Sequence, residues 1–412
     1  MRTPATTPID RREIVSWCLY DFANSSYSAV IVATIFAKYF TQAIVGNEAG
    51  LGDVWWGRVS SASMLFVALS SPYLGGIADS AGFRKPLFII YTWLAVGSVA
   101  AFTALEPGMV MTGFALAMLA NIGIEGAAVF YNSYLPRIAP PERQGSVSGW
   151  GYAVGYAGSI ASLAASLRFT DPLRPAAIWL MVAGHLALFS LPAFRWLPAD
   201  QRSGQGLGAA AREGLRATRD MLATLWRRPN ARRFLLAYLL YEDGVNTVIV
   251  FSSVFAAQTL RFADRELILL YVLTQLAALV GAVVMARPTD TRGPKFVVVL
   301  SLVLWCAVVT AAFFVQSQGQ FWVVAVVAGL GLGSVQAASR AFYSSFVPKG
   351  QESRYFGVYA LVGKSAAVLG PVLFGEMSRA FGSQRPAILS IAVLYLGGLA
   401  ILSGVQPERR ET

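Results

Sequence analysis

Gly75-Gly76-Ile77-Ala78-Asp79-Ser80-Ala81-Gly82-Phe83-Arg84-Lys85 closes one long apolar stretch, and Asp290-Thr291-Arg292-Gly293-Pro294-Lys295 closes another. The acid, the glycine and the final lysine return in the same order in the second half of the chain. Other landmarks double in step. Pro140, Gly149 and Gly155 return as Pro348, Gly357 and Gly363, and Asp21-Phe22-Ala23-Asn24 is echoed by Asp243-Gly244-Val245-Asn246. Landmarks repeated in one order mean two homologous halves. Such duplication in a membrane chain is the mark of a secondary transporter.

Of the 412 residues, 56% are hydrophobic and 13% charged, against about 25% charged in soluble domains. Apolar runs of roughly 20 residues recur along the chain, each long enough to cross about 30 Å of hydrocarbon. The expected fold is an all-α polytopic membrane protein, with twelve transmembrane helices in two six-helix halves. The first six spans are read at 14–45, 54–79, 86–105, 108–135, 145–168 and 174–194. The last six are read at 231–260, 265–287, 294–316, 319–347, 353–380 and 384–404. Residues 1–194 and 231–412 are then the two halves, joined by a cytoplasmic linker, 195–230. In the linker Ala211, Leu215, Leu222, Leu225 and Trp226 share a helical face opposite Arg212, Arg216 and Arg219. That is the pattern of an interfacial helix, or of a plain linker resting on anionic headgroups.

The net charge of +11 reflects topology rather than nucleic-acid binding. Lys and Arg concentrate at both termini, in the even-numbered loops and in the linker. Arg168, Arg174, Arg261, Arg265, Arg379 and Arg385 make up the sparser opposite side. The positive-inside rule therefore puts both termini and the linker in the cytoplasm. Asp10 and Glu13 precede the first apolar stretch, which has no cleavable signal pattern and stays in the mature chain. Cys18 and Cys306 read as packing residues. No nucleotide-binding loop, nucleophile elbow or metal-spaced His/Cys cluster occurs, and His185, the single histidine, sits among apolar neighbours. Neither an enzyme nor a cofactor nor a metal is expected.

Polar residues inside the spans carry the chemistry. Asp21, Asn24, Ser25 and Ser28 make one stripe on the first helix. The fourth carries Asn121, Glu125 and Asn132. The seventh carries Glu242, Asp243, Asn246 and Thr247, and the tenth carries Gln336, Arg340 and Ser344. Lys364 stands on the eleventh. An unpaired charge at mid-bilayer costs about 2.5–3.5 kcal/mol or more, so these groups must pair or line water. Arg340, with five fixed donors, either pairs with Asp21, Glu125 or Asp243 or clamps a substrate carboxylate. The surplus of acids is a natural proton site, with Asp21 first and Glu125 second. Trp150, Tyr152 and Tyr156 could pack or stack on a solute. At the loops, Asp79, Arg84, Lys85, Asp290 and Lys295 can bond across the cytoplasmic face or meet a neighbouring helix N-terminus. They are candidate gating latches.

The Gly75–Lys85 loop and the twelve-helix layout resemble the major facilitator superfamily, although Ser80 stands where that family often has Arg and the second copy has Ala286 at its first glycine position. A narrower resemblance, to the vacuole-effluxer family of autophagy and its bacterial relatives, rests on several patches. These are Tyr20-Asp21-Phe22-Ala23-Asn24-Ser25-Ser26-Tyr27, Pro136 to Arg143, Val147 to Tyr152, Gln336 to Arg340, Tyr355 to Ala360, and Gly363-Lys364. The resemblance implies that helices 1, 4, 7 and 10 line a central cavity, and that fungal members export amino acids from vacuoles. Together with the buried acids, which supply the proton coupling, it implies for this chain a secondary transporter of a small polar organic solute, an amino acid first, working by alternating access. It would act as a monomer in a bacterial inner membrane. A drug or organic-ion exporter of the same fold is the second reading. A non-transporting sensor or lipid-handling protein is the reading from another class.

Overall fold

The computed structural model describes residues 10–46, 51–166, 168, 175–200, 207–366 and 369–406; Arg174 and the first polar residues of the linker, 201–206, lie outside them. The described residues form helices and turns, with no strand among them. That is what hydrocarbon demands, because a helix satisfies its own backbone groups where no water can.

The first half comprises α1 (Arg11–Val45), α2 (Leu51–Ala81), α3 (Arg84–Ala101), α4 (Val110–Asn132), α5 (Gln144–Ser166) and α6 (Ala176–Trp196). The linker helix is α7 (Leu207–Arg227). Then come α8 (Pro229–Gln258), α9 (Asp264–Thr291), α10 (Pro294–Phe314) and α11 (Gln318–Ser344). The chain ends with α12 (Glu352–Ser365), α13 (Leu369–Phe381), α14 (Gln384–Ser390) and α15 (Ala392–Ser403). Among the described residues, ten stretches are long and apolar enough to cross a membrane, with α14 and α15 counting as one. The Gly- and Ser-rich α5 and the α12–α13 pair fill two further places, consistent with twelve spans. Exposed apolar side chains such as Leu65, Leu69, Ile90, Met111, Phe314 and Val323 suit a lipid-facing surface.

The duplication seen in the sequence is a duplication of contacts. α5 lies along α9, and α12 along α2. A Cβ on Gly149 would come within 2.7 Å of the Ala286 Cβ, and one on Gly357 within 2.7 Å of the Ser71 carbonyl carbon. The paired glycines thus admit equivalent close crossings. Each crossing joins one half to the other. The loops that close α2 and α9 turn at Gly82 (φ +68°) and Gly293 (φ +88°), a left-handed conformation that favours glycine. Pro294 follows at the first position of α10, where its missing N–H costs nothing.

Two spans depart from the expected continuous helices. α1 contains π-helical segments at Tyr27–Val32 and Phe40–Val45, on either side of Thr34 at φ −135°, ψ −87°. The eleventh span, expected unbroken over 353–380, ends α12 at Ser365 and restarts at Leu369. Pro371 supplies no N–H to an α-helical ladder there, and α8 holds both loose ends. Asn246 Nδ2 donates to the Ala366 carbonyl at 2.6 Å, and the Asp243 carboxylate accepts the Gly370 N–H at 3.0 Å. A carboxylate beside the first turn of α13 also suits the helix dipole.

The linker helix exists but faces differently from the sequence expectation. Gly214, Thr218, Met221 and Leu225 are its buried side. Leu215 and Trp226, expected beside Leu225, are 44% and 63% exposed.

Candidate functional site

Arg340 is the most enclosed cation of the core. Its side chain, on α11, is 2% exposed. Nε donates to Ser148 Oγ and Nη2 to the Ser148 carbonyl, both at 2.9 Å. Nη1 donates to Asn132 Oδ1 at 3.2 Å, and Nη1 and Nη2 reach Asp21 Oδ2 at 3.4 and 3.5 Å. Trp17, Tyr152 and Tyr131 surround the guanidinium, with its carbon 4.5, 4.1 and 5.8 Å from their ring centroids. Cation–π contact compensates for lost hydration there. Gly151 makes the room, since a Cβ on it would sit 2.7 Å from Asp21 Oδ2 and 2.8 Å from Arg340 Nη2. All three guanidinium nitrogens are engaged. The side chain is a fastener between α11 and the helices α1, α4 and α5.

A second ion pair is different in kind. Lys364 Nζ, in the last turn of α12, stands 2.6 Å from Glu125 Oε2 of α4, and the two side chains are 28% and 22% exposed. One turn from Glu125, Asn121 Oδ1 accepts from the Tyr27 hydroxyl at 2.8 Å. The Glu125–Lys364 pair joins the two halves and stays accessible.

Glu242 of α8 is 8% exposed. Its Oε1 accepts from Gln336 Nε2 at 2.8 Å, while Oε2 meets no donor among the described residues. The buried Asn24 Oδ1 is likewise without a partner. Asp243 and Asn246, by contrast, are occupied with the break in the eleventh span. The sequence echo of Asp21 in Asp243 is therefore not an echo of role.

On the linker face the candidate latch residues Asp79, Arg84 and Asp290 are engaged across the halves. Asp79, 1% exposed, accepts from the Ser353 and Arg354 backbone N–H groups at 3.1 and 2.9 Å and from Arg84 at 3.0 Å. Arg84 also reaches Glu352 at 2.9 Å and Ser353 Oγ at 2.7 Å. In mirror fashion, Asp290 accepts the Gly145 and Ser146 N–H groups at 2.7 and 3.0 Å, and the Ser146 hydroxyl. Each acid at the end of one half's helix thus meets the N-terminus of a helix in the other, where the dipole and free N–H groups favour an anion. The lysines bond elsewhere, Lys85 to the start of the linker and Lys295 within its own half. Lys85 Nζ donates to the Leu197 carbonyl at 2.6 Å, and Lys295 Nζ to the Ser403 and Val405 carbonyls at 3.0 and 2.5 Å.

Other expectations resolve simply. Trp150 is 53% exposed and points away from the cluster, whereas Tyr152 covers Arg340. His185 Nε2 lies 3.2 Å from the Phe22 carbonyl with its ring stacked on Phe22, a packing role. Cys18 and Cys306 are free thiols. Sequence reasoning missed Ser148, Trp17 and the backbone partners of the two latch acids. The helix starts at Gln144 and Glu352, in phase with the duplication, were the available signal for the last.

Comparison with known proteins agrees with this architecture. The human organic anion transporter MFSD10 (TETRAN) superposes with a TM-score of 0.77 at 16% identity, covering 96% of this chain and 100% of that one. The proton:xylose symporter XylE, bound to 6-bromo-6-deoxy-D-glucose, gives 0.73 at 14% identity, covering 96% and 95%. XylE is a major facilitator superfamily protein, and at such identities both structures establish the fold alone. An uncharacterized MFS-type transporter of Bacillus subtilis, YxiO, is 28% identical over 96% of this chain and 95% of its own length. Autophagy-related protein 22 of Cryptococcus neoformans is 32% identical over 44% of this chain and 36% of its own. Residues 58–412 match the family described as "Vacuole effluxer Atg22 like". The chain is a membrane transporter of the major facilitator fold and belongs to the vacuole effluxer Atg22-like family.

Proposed function

We propose that this chain moves a zwitterionic small solute, an amino acid first, across a bacterial inner membrane by proton-coupled alternating access, acting as a monomer. The observation that carries the reading is the accessible Glu125–Lys364 pair between the halves. An amino acid presents one carboxylate and one ammonium, so it can insert between the two side chains and satisfy both. Lys364 takes the substrate carboxylate and Glu125 the ammonium. Arg340 is too fully engaged to act as that clamp in the state described here. Glu242, with one oxygen lacking a donor, replaces Asp21 as the preferred proton carrier, because protonation would supply an O–H at little local cost. The linker face is the cytoplasmic one, and Asp79 and Asp290 latch it shut. When those bonds break, the halves rock apart there.

Counterflow in reconstituted vesicles tests the substrate reading. Wild-type protein should exchange neutral amino acids while ignoring their decarboxylated amines. Lys364→Gln should lose that discrimination, and Glu242→Gln should lose acceleration by a proton gradient while keeping exchange. If lipophilic ions compete and amino acids do not, the organic-ion reading replaces this one.

A further inference from the structure

Around α7, at about 100° per residue, the side chains sort into distinct sectors. Gly214, Thr218, Met221 and Leu225 form the first and are buried on the protein. A Cβ on Gly214 would lie 2.7 Å from the Ile77 nitrogen, and Thr218 Oγ1 donates to the Pro72 carbonyl of α2 at 3.1 Å. Met221 and Leu225 join the core that holds Phe234 and Tyr238 of α8. The helix therefore grips both halves. Leu215, Leu222 and Trp226 form the second sector, next in rotation, with Leu215 and Trp226 exposed. Arg212, Arg219, Arg216 and Arg227 follow as the third, all exposed, and the acids Glu213 and Asp220 lie beyond them.

An apolar strip bordered by four arginines fits a surface with acyl chains below and phosphates above. Depth agrees with this. The contact at Gly76 lies five residues before Ala81, the end of a membrane-spanning helix, hence about 8 Å inside it at 1.5 Å per residue. The seat also adjoins the latch. Gly75 faces the Ser353 carbonyl at the start of α12, and its neighbour Gly76 faces Gly214.

We propose that α7 binds the anionic phospholipid surface in plane, Leu215 and Trp226 in the acyl boundary and the arginines on phosphates, and so holds α2 where Asp79 latches α12. Each arginine near an anionic surface contributes about fivefold. Removing three should weaken the preference for anionic lipid roughly a hundredfold.

Two measurements test this. In a Cys18→Ala/Cys306→Ala background in anionic nanodiscs, a nitroxide at Trp226→Cys should collide more with oxygen than with a nickel chelate. One at Glu213→Cys should do the reverse. A water-exposed label at position 226 would overturn the proposal. In the second, phosphatidylglycerol is titrated into detergent-purified protein while thermal stability is followed. Arg212→Gln/Arg216→Gln/Arg219→Gln should shift the midpoint by about two decades, and Arg287→Gln/Lys349→Gln, at exposed cations outside α7, should leave it within a factor of three. Equal loss in both variants, no loss in the first, or the same stabilisation by inorganic phosphate would each refute the assignment.

Discussion

Replacing Asp79 with asparagine should open the linker face. The carboxylate accepts three hydrogen bonds, from the Ser353 and Arg354 N–H groups and from Arg84. A bond to a charged partner contributes about 1.5–3 kcal/mol and a neutral one about 0.5–1.5. Neutralising the acceptor therefore costs about 1 kcal/mol per bond, about 3 kcal/mol in all. The two N–H bonds exist only while α2 and α12 are together, whereas Arg84 sits five residues from Asp79 in the same half, so about 2 kcal/mol of the loss falls on the closed state. At 1.4 kcal/mol per decade, the ratio of open to closed protein rises roughly 25-fold. Ser133 is a suitable reporter, being fully buried on the latch face with its hydroxyl 3.4 Å from that of Ser353. With Ser133→Cys in the cysteine-free background, maleimide labelling in membranes should follow the open fraction and accelerate about 25-fold in Asp79→Asn. A change of less than threefold would show that the carboxylate does not hold the state closed. Its geometry against the α12 N-terminus would then be structural only.

Asp290→Asn loses the equivalent bonds at α5 and should give a similar acceleration, with the double variant additive because the two sites share no partner; sub-additivity would mean that one latch opens only after the other. Arg340→Met leaves the Asp21 carboxylate without its cation, a loss of about 3–5 kcal/mol measured by thermal unfolding in detergent. Adding Asp21→Asn should recover most of it, and no recovery would place the cost in packing against Trp17 and Tyr152. Gly151→Ala pushes a methyl against Asp21 and Arg340 and should cost about 1–3 kcal/mol as overpacking, whereas unchanged stability would mean that the cluster yields freely. Asp243→Asn weakens the tie to the Gly370 N–H by about 1–2 kcal/mol, so hydrogen exchange at the start of α13 should rise about tenfold while α11 stays protected.

What could be read in advance, and what could not, divides by the range of the interaction. Span positions follow from apolar length, and the halves from repeated Asp, Gly and Pro residues, because bilayer thickness and turn chemistry act locally. Hence the ends of α2 and α9 and the turns at Gly82 and Gly293 were legible. The break after Ala366 was not, although Pro371 marks it. Pro72, Pro192 and Pro288 sit inside unbroken helices, so a proline alone does not decide. The difference is made by Asn246 and Asp243, more than a hundred residues away, which satisfy the severed ends. The same holds for charge. That the buried ionic groups would pair or line water could be argued from their cost in hydrocarbon, but their pairing was settled by space. Gly151 lets the guanidinium sit between Trp17 and Tyr152 and reach Asp21, which leaves Glu125 to Lys364 and one oxygen of Glu242 without a donor. A polar stripe on a helix therefore identifies which groups need partners. The small residues opposite decide which of them stay available for a solute or a proton.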